Sequence, residues 1–354
     1  MKKIVLTGGG TAGHVTPNIA LIPGLKEAGF DILYIGSEKG IEKELIEKMG
    51  IPYKGIATGK LRRYIDLKNL SDPFRVIKGV AEARRILKEY RPDVVFSKGG
   101  YVAVPVVLAA HRLHVPVISH ESDMTPGLAN KITMPLVTKI CCNFPETLSE
   151  LPKEKGILSG SPIRKELLSG DRKKGLSFAG LDGQKPVILV IGGSLGAVHV
   201  NEAVRGVLPD LLKKYDVIHI CGAKNIDESL KGTPGYVQFG YVNEELKDLF
   251  AAADLFISRA GANAICEILA LRKPNLLIPL GGEASRGDQI LNARSFEKQG
   301  YSKVLLEENI TDGVLLREVD DLYANRESYV AAMNTSAMND GVRVVTDLIK
   351  ELAE

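Results

Sequence analysis

The sequence predicts an α/β protein made of two doubly wound units with parallel sheets, and three observations predict it. Strand-like and helix-like segments alternate almost without interruption along 354 residues, a length that suits two domains, each with its own core. Two stretches open alike, LTGGGTAGHVTPN at 6–18 and VIGGSLGAVHVN at 190–201, each an apolar strand, a glycine turn and a helix start. Between the two series, residues 145–186 are rich in Lys, Glu, Gly and Pro and read as the end of one domain and a linker. Two such units in tandem would hold a ligand in a cleft between them, because open α/β sheets bind at the carboxyl ends of their strands.

Taken in order, Ile4-Val5-Leu6 is the apolar run of a buried parallel strand, and a helix starts near Pro17. Then follow strand 31–36, helix 41–49 ended by Gly50, strand 51–58, helix 74–90 stopped by Pro92, strand 94–97 and helix 102–113. Strand 116–120, a short helix near 126–132, strand 139–143 and a last strand at Ile157-Leu158 complete the first series. The second series has strands at 187–191, 217–221, 236–241, 255–258, 275–279 and 303–306, and the tail from about residue 311 is helical.

A balance of 46 basic to 43 acidic residues, net +3, gives no electrostatic case for nucleic acid. Cys141, Cys142, Cys221 and Cys266 all lie in apolar segments without Cys-x-x-Cys spacing, so reduced core cysteines and a cytosolic setting are expected. The N-terminal apolar run is too short for a signal peptide, and no run is long enough to span a bilayer.

The first glycine turn, Gly8 to Gly13, brings backbone N–H groups to a helix start, a place for an anion such as phosphate, and carries His14. Its spacing also fits a dinucleotide fingerprint with Glu38 as ribose acid, which keeps a nicotinamide-dependent oxidoreductase open. The second turn, Gly192 to Ala197, offers amides and the Ser194 hydroxyl; by itself it is a tight turn with a capping serine. Glu267 lies off the apolar stripe of its helix, so it is either a solvated acid or a bidentate acceptor for two ribose hydroxyls. Gln289 and Asn292 share a helix face and could read a sugar. Ser97-Lys98-Gly99-Gly100-Tyr101 is a third glycine turn, and His120-Glu121 are strand neighbours that point apart. The chain has no Asp-x-Asp pair, so no metal holding a pyrophosphate is expected, and no cofactor.

Together the stretches GGGTAGHVTP (8–17), SKGGY (97–101), HESD (120–123), SPIR (161–164), GGSLGA (192–197), SRAGANAICE (258–267) and DQILNA (288–293) resemble the MurG family. That resemblance spans nearly the whole chain. It implies the GT-B architecture, with residues 1–160 as the acceptor- and membrane-facing domain, 164–340 as the UDP-N-acetylglucosamine domain, and helix 341–354 returning to the first. It also implies transfer of N-acetylglucosamine from UDP to the 4-hydroxyl of a lipid-linked muramyl-pentapeptide, at the cytoplasmic face of the cell membrane. Glu267 would take the ribose; Ser194, Gly196 and Arg164 the diphosphate; Asp288, Gln289 and Asn292 the sugar; and Ala262, Asn243 and the backbone near Val242 the remaining donor contacts.

Thr11 and Gly13 would reach UDP-N-acetylglucosamine as well as the acceptor, while Gly99, Gly100, Tyr101, His120 and Asp123 would face the undecaprenyl-linked acceptor. The base would be His14, whose ordinary pKa suits proton exchange near neutrality, with Glu121 as substitute. This chain departs from the family at Asp123, where an amide is common, and at Asn263-Ala264. Residues 59–85 mix basic side chains with apolar ones, and Leu70, Phe74 and Ile77 are expected to meet an anionic membrane surface; an ordinary amphipathic helix would look the same. A glycolipid glycosyltransferase, a UDP-N-acetylglucosamine 2-epimerase and a non-catalytic sugar-nucleotide sensor are the other readings of these motifs.

Overall fold

The computed structural model describes residues 1–59, 72–193, 197–281, 287–336, 338 and 340–354. The chain divides into two units, Met1–Arg164 with Asp340–Glu354, and Lys165–Asn339. The first holds seven strands: β1 (Lys3–Thr7), β2 (Asp31–Ser37), β3 (Tyr53–Ile56), β4 (Val94–Ser97), β5 (Val117–Glu121), β6 (Lys139–Cys142) and β7 (Gly156–Leu158). They form one sheet in the order β3-β2-β1-β4-β5-β6-β7, and every pairing is parallel. Because side chains alternate across a strand, β1 feeds two cores. Ile4 and Leu6 pack with Leu21 and Leu25 of helix Thr16–Glu27, whereas Val5 packs with Val80, Val106 and Ala109. The last helix, Gly341–Leu352, adds Val345, Leu348 and Ile349 to the first of these cores.

The second unit holds β8 (Val187–Ile191), β9 (Asp216–Ile220), β10 (Tyr236–Phe239), β11 (Leu255–Ser258), β12 (Asn275–Leu277) and β13 (Lys303–Val304), again all parallel, in the order β10-β9-β8-β11-β12-β13. Ile188 and Val190 of β8 pack with Val200 and Val204 of helix Val198–Gly206 and with Val319. In each sheet the strand order reverses beside the first strand, so the exit loops of β1 and β4, and of β8 and β11, are neighbours. Such switch points are where open sheets bind ligands.

Residues 145–186 also hold a helix that the sequence pattern did not mark, Arg172–Ala179, capped by the Asp171 carboxylate, which accepts from Lys173 N at 2.8 Å and Lys174 N at 3.1 Å. The helix lies against helix Leu246–Ala252 so closely that a Cβ at Gly175 would collide with the Asp248 carbonyl. All four cysteines are free and buried.

Candidate functional site

At the switch point of the first sheet the turns after β1 and β4 interlock. Gly99 and Gly100 both take positive φ, 82° and 78°. A Cβ at Gly100 would stand 2.6 Å from the Gly9 carbonyl and 3.4 Å from the His14 ring, and one at Gly10 would stand 2.5 Å from the Tyr101 ring. His14 is half-buried, with Nδ1 at 2.9 Å from the Thr11 hydroxyl. That contact ties the ring to the turn through Nδ1.

The sequence expectation of a phosphate on this turn meets an internal rival. Gly10 N–H donates to Glu42 Oε2 at 3.2 Å, and Glu42 is fully buried. Like charge disfavours a phosphate at that amide, and Glu38, the acid the dinucleotide fingerprint would require, stands exposed in solvent.

Behind the turn, Lys98 is 1 % exposed and its ammonium donates to the Ser122 hydroxyl. Glu121 is buried and accepts from Asp123 N (3.0 Å), Gly127 N (2.9 Å) and Asn130 Nδ2 (2.8 Å), so it ties together the loop that carries Asp123. Burial raises its pKa, while the Asn130 and Gly127 hydrogen bonds pull the other way. His120 has no exposure; its Nε2 donates to the Gly160 carbonyl at 3.0 Å, and burial, with Lys98 adding to it, holds its pKa well below the ordinary value. In this structure His120 is a neutral, internal link between β5 and the Gly160 turn. Asp123 and Tyr101 are half-buried. Arg164 closes the first stretch of this unit, and its Nε is buried without a hydrogen-bond partner among the described residues.

In the second sheet Ser194 and Gly196 lie outside the described residues, but the turn begins at Gly192 and Gly193 after β8. Gly193 has φ 91°, and a Cβ there would meet nothing within 4 Å among the described residues. After β11, Arg259 is 8 % exposed and donates to the Ile278 carbonyl (3.1 Å) and to Glu307 Oε1 (2.6 Å). Glu307 also accepts from Gly281 N (3.3 Å) and meets His199 Nδ1 (3.1 Å). Burial works to raise the Glu307 carboxyl, but the Arg259 guanidinium, the Gly281 amide and His199 together outweigh it and the net shift is downward.

Gln289 Oε1 accepts from Leu280 N at 2.9 Å, and Asn292, fully buried, donates to the Ala260 carbonyl at 3.3 Å. Asn292 thus holds the β11 turn from inside, and the face it shares with Gln289 turns inward at that end. Ala262 is also buried, while Glu267 and Asp288 are half-buried and Asn243 is exposed. Sequence reasoning missed Glu42, Asn130, Arg259 and Glu307 as organisers of these turns. The one local signal for Glu42 was its flanking pair Gly36 and Gly40.

The glycosyltransferase family 28 N-terminal domain matches residues 4–142, and the glycosyltransferase family 28 C-terminal domain matches residues 187–351. The chain is 63 % identical over 351 residues, 99 % of each chain, to the UDP-N-acetylglucosamine--N-acetylmuramyl-(pentapeptide) pyrophosphoryl-undecaprenol N-acetylglucosamine transferase of Lachnospira eligens. It is 62 % identical over 352 residues, again 99 % of each chain, to the protein of the same name from Lachnoclostridium phytofermentans. Among solved structures it resembles MurG of Acinetobacter baumannii, with a TM-score of 0.80, 27 % identity, and 99 % of this chain and 100 % of that one covered.

Proposed function

The chain belongs to glycosyltransferase family 28, and from that premise we propose that it moves N-acetylglucosamine from UDP-N-acetylglucosamine to the 4-hydroxyl of a lipid-linked N-acetylmuramyl-pentapeptide, with inversion. The observation that carries this reading is the likeness at 63 % identity over 99 % of both chains to a relative of that name. In the reaction the acceptor hydroxyl forms a bond to the anomeric carbon as the bond to the UDP oxygen breaks. UDP leaves with the electron pair, through an oxocarbenium-like transition state.

His14 takes the hydroxyl proton; its Thr11 contact fixes the ring. A carboxylate already tied to three donors, such as Glu121, is the poorer base, and its part is to shape the loop around Asp123. The turn that begins at Gly192 and Gly193 supplies amides to the diphosphate, with Ser194 and Gly196 named by the sequence alone. Arg164 is named for the diphosphate by the sequence alone. Glu267 takes the ribose hydroxyls, Asn243 lies near the uracil, and Asp288 and Gln289 lie near the sugar. Gly99, Gly100 and Tyr101 face the acceptor.

A lipid-linked acceptor calls for a membrane surface. No described helix is long and apolar enough to cross a membrane, but on helix Asp72–Tyr90 two large apolar side chains three residues apart stand out, Phe74 at 74 % and Ile77 at 67 % exposure. Leu70 lies outside the described residues. Replacing Phe74 and Ile77 by Ser is expected to release the protein from anionic vesicles while UDP affinity is unchanged; undiminished vesicle binding removes the patch from the reading.

The test of function is transfer of labelled N-acetylglucosamine to a lipid-linked muramyl-pentapeptide, beside a glycolipid acceptor. Label on the muramyl acceptor alone is expected. Label on the glycolipid alone, or on neither, overturns the reading.

A further inference from the structure

Glu42 sits in the first turn of helix Ile41–Glu47, where an acid ordinarily faces solvent, yet it has no exposure at all. Three glycines clear its seat. A Cβ at Gly9 would lie 2.5 Å from its carboxyl carbon, one at Gly36 3.0 Å from its Cγ, and one at Gly40 would overlap its carboxylate. Its oxygens are met by three donors: Gly10 N at 3.2 Å, Ser37 N at 3.0 Å and the Ser37 hydroxyl at 2.5 Å. The layer continues below. Tyr53 OH donates to the Ser37 carbonyl at 2.6 Å, Tyr53 stacks on Tyr34 at 5.8 Å, and Tyr34 OH donates to the Gly8 carbonyl at 2.7 Å. The turn is thus pinned at Gly8 through its carbonyl and at Gly10 through its amide, directly before Thr11.

A buried carboxylate is expensive, and an apolar side chain of similar volume would stabilise the fold as well or better. The cost is offset here by a hydrogen bond to the backbone that carries Thr11 and His14. Resting on the assignment of His14 as base, we propose that Glu42 is a positioning residue for the transfer: by holding Gly10 N–H it sets the course of the loop and so the aim of the His14 ring, without touching substrate. Displacing a reacting group by about 1 Å can cost roughly 10²-fold in rate, and the Gly10 amide is the one that Glu42 holds directly before Thr11.

The test measures kcat and the KM for UDP-N-acetylglucosamine in Glu42→Gln, Glu42→Ala and Ser37→Ala, with Glu42→Gln also placed in a His14→Ala background. Gln keeps one acceptor oxygen and is expected to lower kcat about tenfold and Ala about a hundredfold, with the donor KM within about twofold in both. Ser37→Ala, which leaves the Gly10 bond in place, is expected to change kcat less than about threefold. In the His14→Ala background the Glu42→Gln loss should disappear, because residues acting through one group are non-additive.

If Glu42→Ala does not fold, Glu42→Gln and the double variant decide alone. A loss that persists undiminished without His14, or a raised donor KM at unchanged kcat, overturns the proposal. A wild-type chain that transfers no sugar to the muramyl acceptor instead sinks the functional reading, so the two failures are distinct.

Discussion

The two glycine turns that open the two series use one device and arrive at opposite electrostatic states. After β1 the turn is closed from within: Gly10 N–H ends on Glu42, and a side chain at Gly9 would strike that carboxylate at 2.5 Å. After β8, a side chain at Gly193 would meet nothing within 4 Å among the described residues. The backbone amides of a glycine turn are an anion site only where the protein leaves them vacant. In the proposed reading the closed turn aims a proton acceptor and the other receives a diphosphate, so damage to the first should appear in turnover and damage to the second in donor affinity.

The sharpest test of that division is His14→Ala. Loss of a positioned base is worth about 10²–10⁴-fold in kcat, with the donor KM nearly unchanged; a variant that keeps wild-type kcat would break the assignment. Next in size is Glu267→Ala. Removing a charged acceptor from two hydroxyls costs about 1.5–3 kcal/mol, roughly 10–10²-fold in UDP affinity by calorimetry, with kcat at saturating donor close to wild type. A kcat defect from Glu267 and an affinity defect from His14 would invert the comparison.

Much of the scaffold was legible because buried parallel strands are short apolar runs. Strands 94–97, 187–191 and 255–258 stand where the pattern put them. The runs at 51–58 and 275–279 overshoot, since their apolar character continues into exit loops that leave the sheet at Ile56 and Leu277. Helix Arg172–Ala179 carried its own punctuation, an N-cap Asp171 and a left-handed Gly180, but Gly175 and its lysines hid it, and Gly175 is there for helix packing. At the site the turns themselves were legible and their braces were not. Gly10 meets Glu42 across 32 residues and Arg259 meets Glu307 across 48, contacts that exist only once neighbouring strands are paired. Asn292 shows a related limit: helical spacing says which residues share a face, not which way that face turns.

A smaller effect separates space from stability in the second unit. Gly261 has ordinary backbone angles, φ −66° and ψ 133°, and a Cβ there would meet nothing within 4 Å. Gly261→Ala is therefore expected to leave the melting temperature unchanged. If the space beside it belongs to the donor, overpacking of about 1–3 kcal/mol raises the donor KM roughly tenfold. An unchanged KM would move the donor away from the β11 turn.

The last effect, confined to acid pH, concerns the asparagine brace beneath each turn. Asn18 binds the Tyr34 hydroxyl at 3.0 Å, whereas Asn201 binds His219 Nε2 at 2.9 Å and the Cys221 carbonyl at 2.9 Å. Since Asn201 Oδ1 accepts, His219 carries its proton on Nε2 and accepts from Tyr236 OH on Nδ1, at 2.9 Å. Burial, with Arg205 adding to it, lowers the His219 pKa to about 3. The unfolded chain binds a proton at ordinary histidine values near 6.5 that the folded chain refuses down to about 3, so stability falls as pH drops through that window. The slope is at most about 1.4 kcal/mol per pH unit for one such group. His120, also held neutral by burial, adds a second slope in the first unit, so His219→Gln should flatten the acid loss of stability without abolishing it. A phenol brace such as Tyr34 cannot titrate there. Denaturant unfolding at stepwise lower pH reads the difference: a slope identical in wild type and His219→Gln would mean that His219 is already protonated in the folded chain, and that the two braces do not differ in their response to acid.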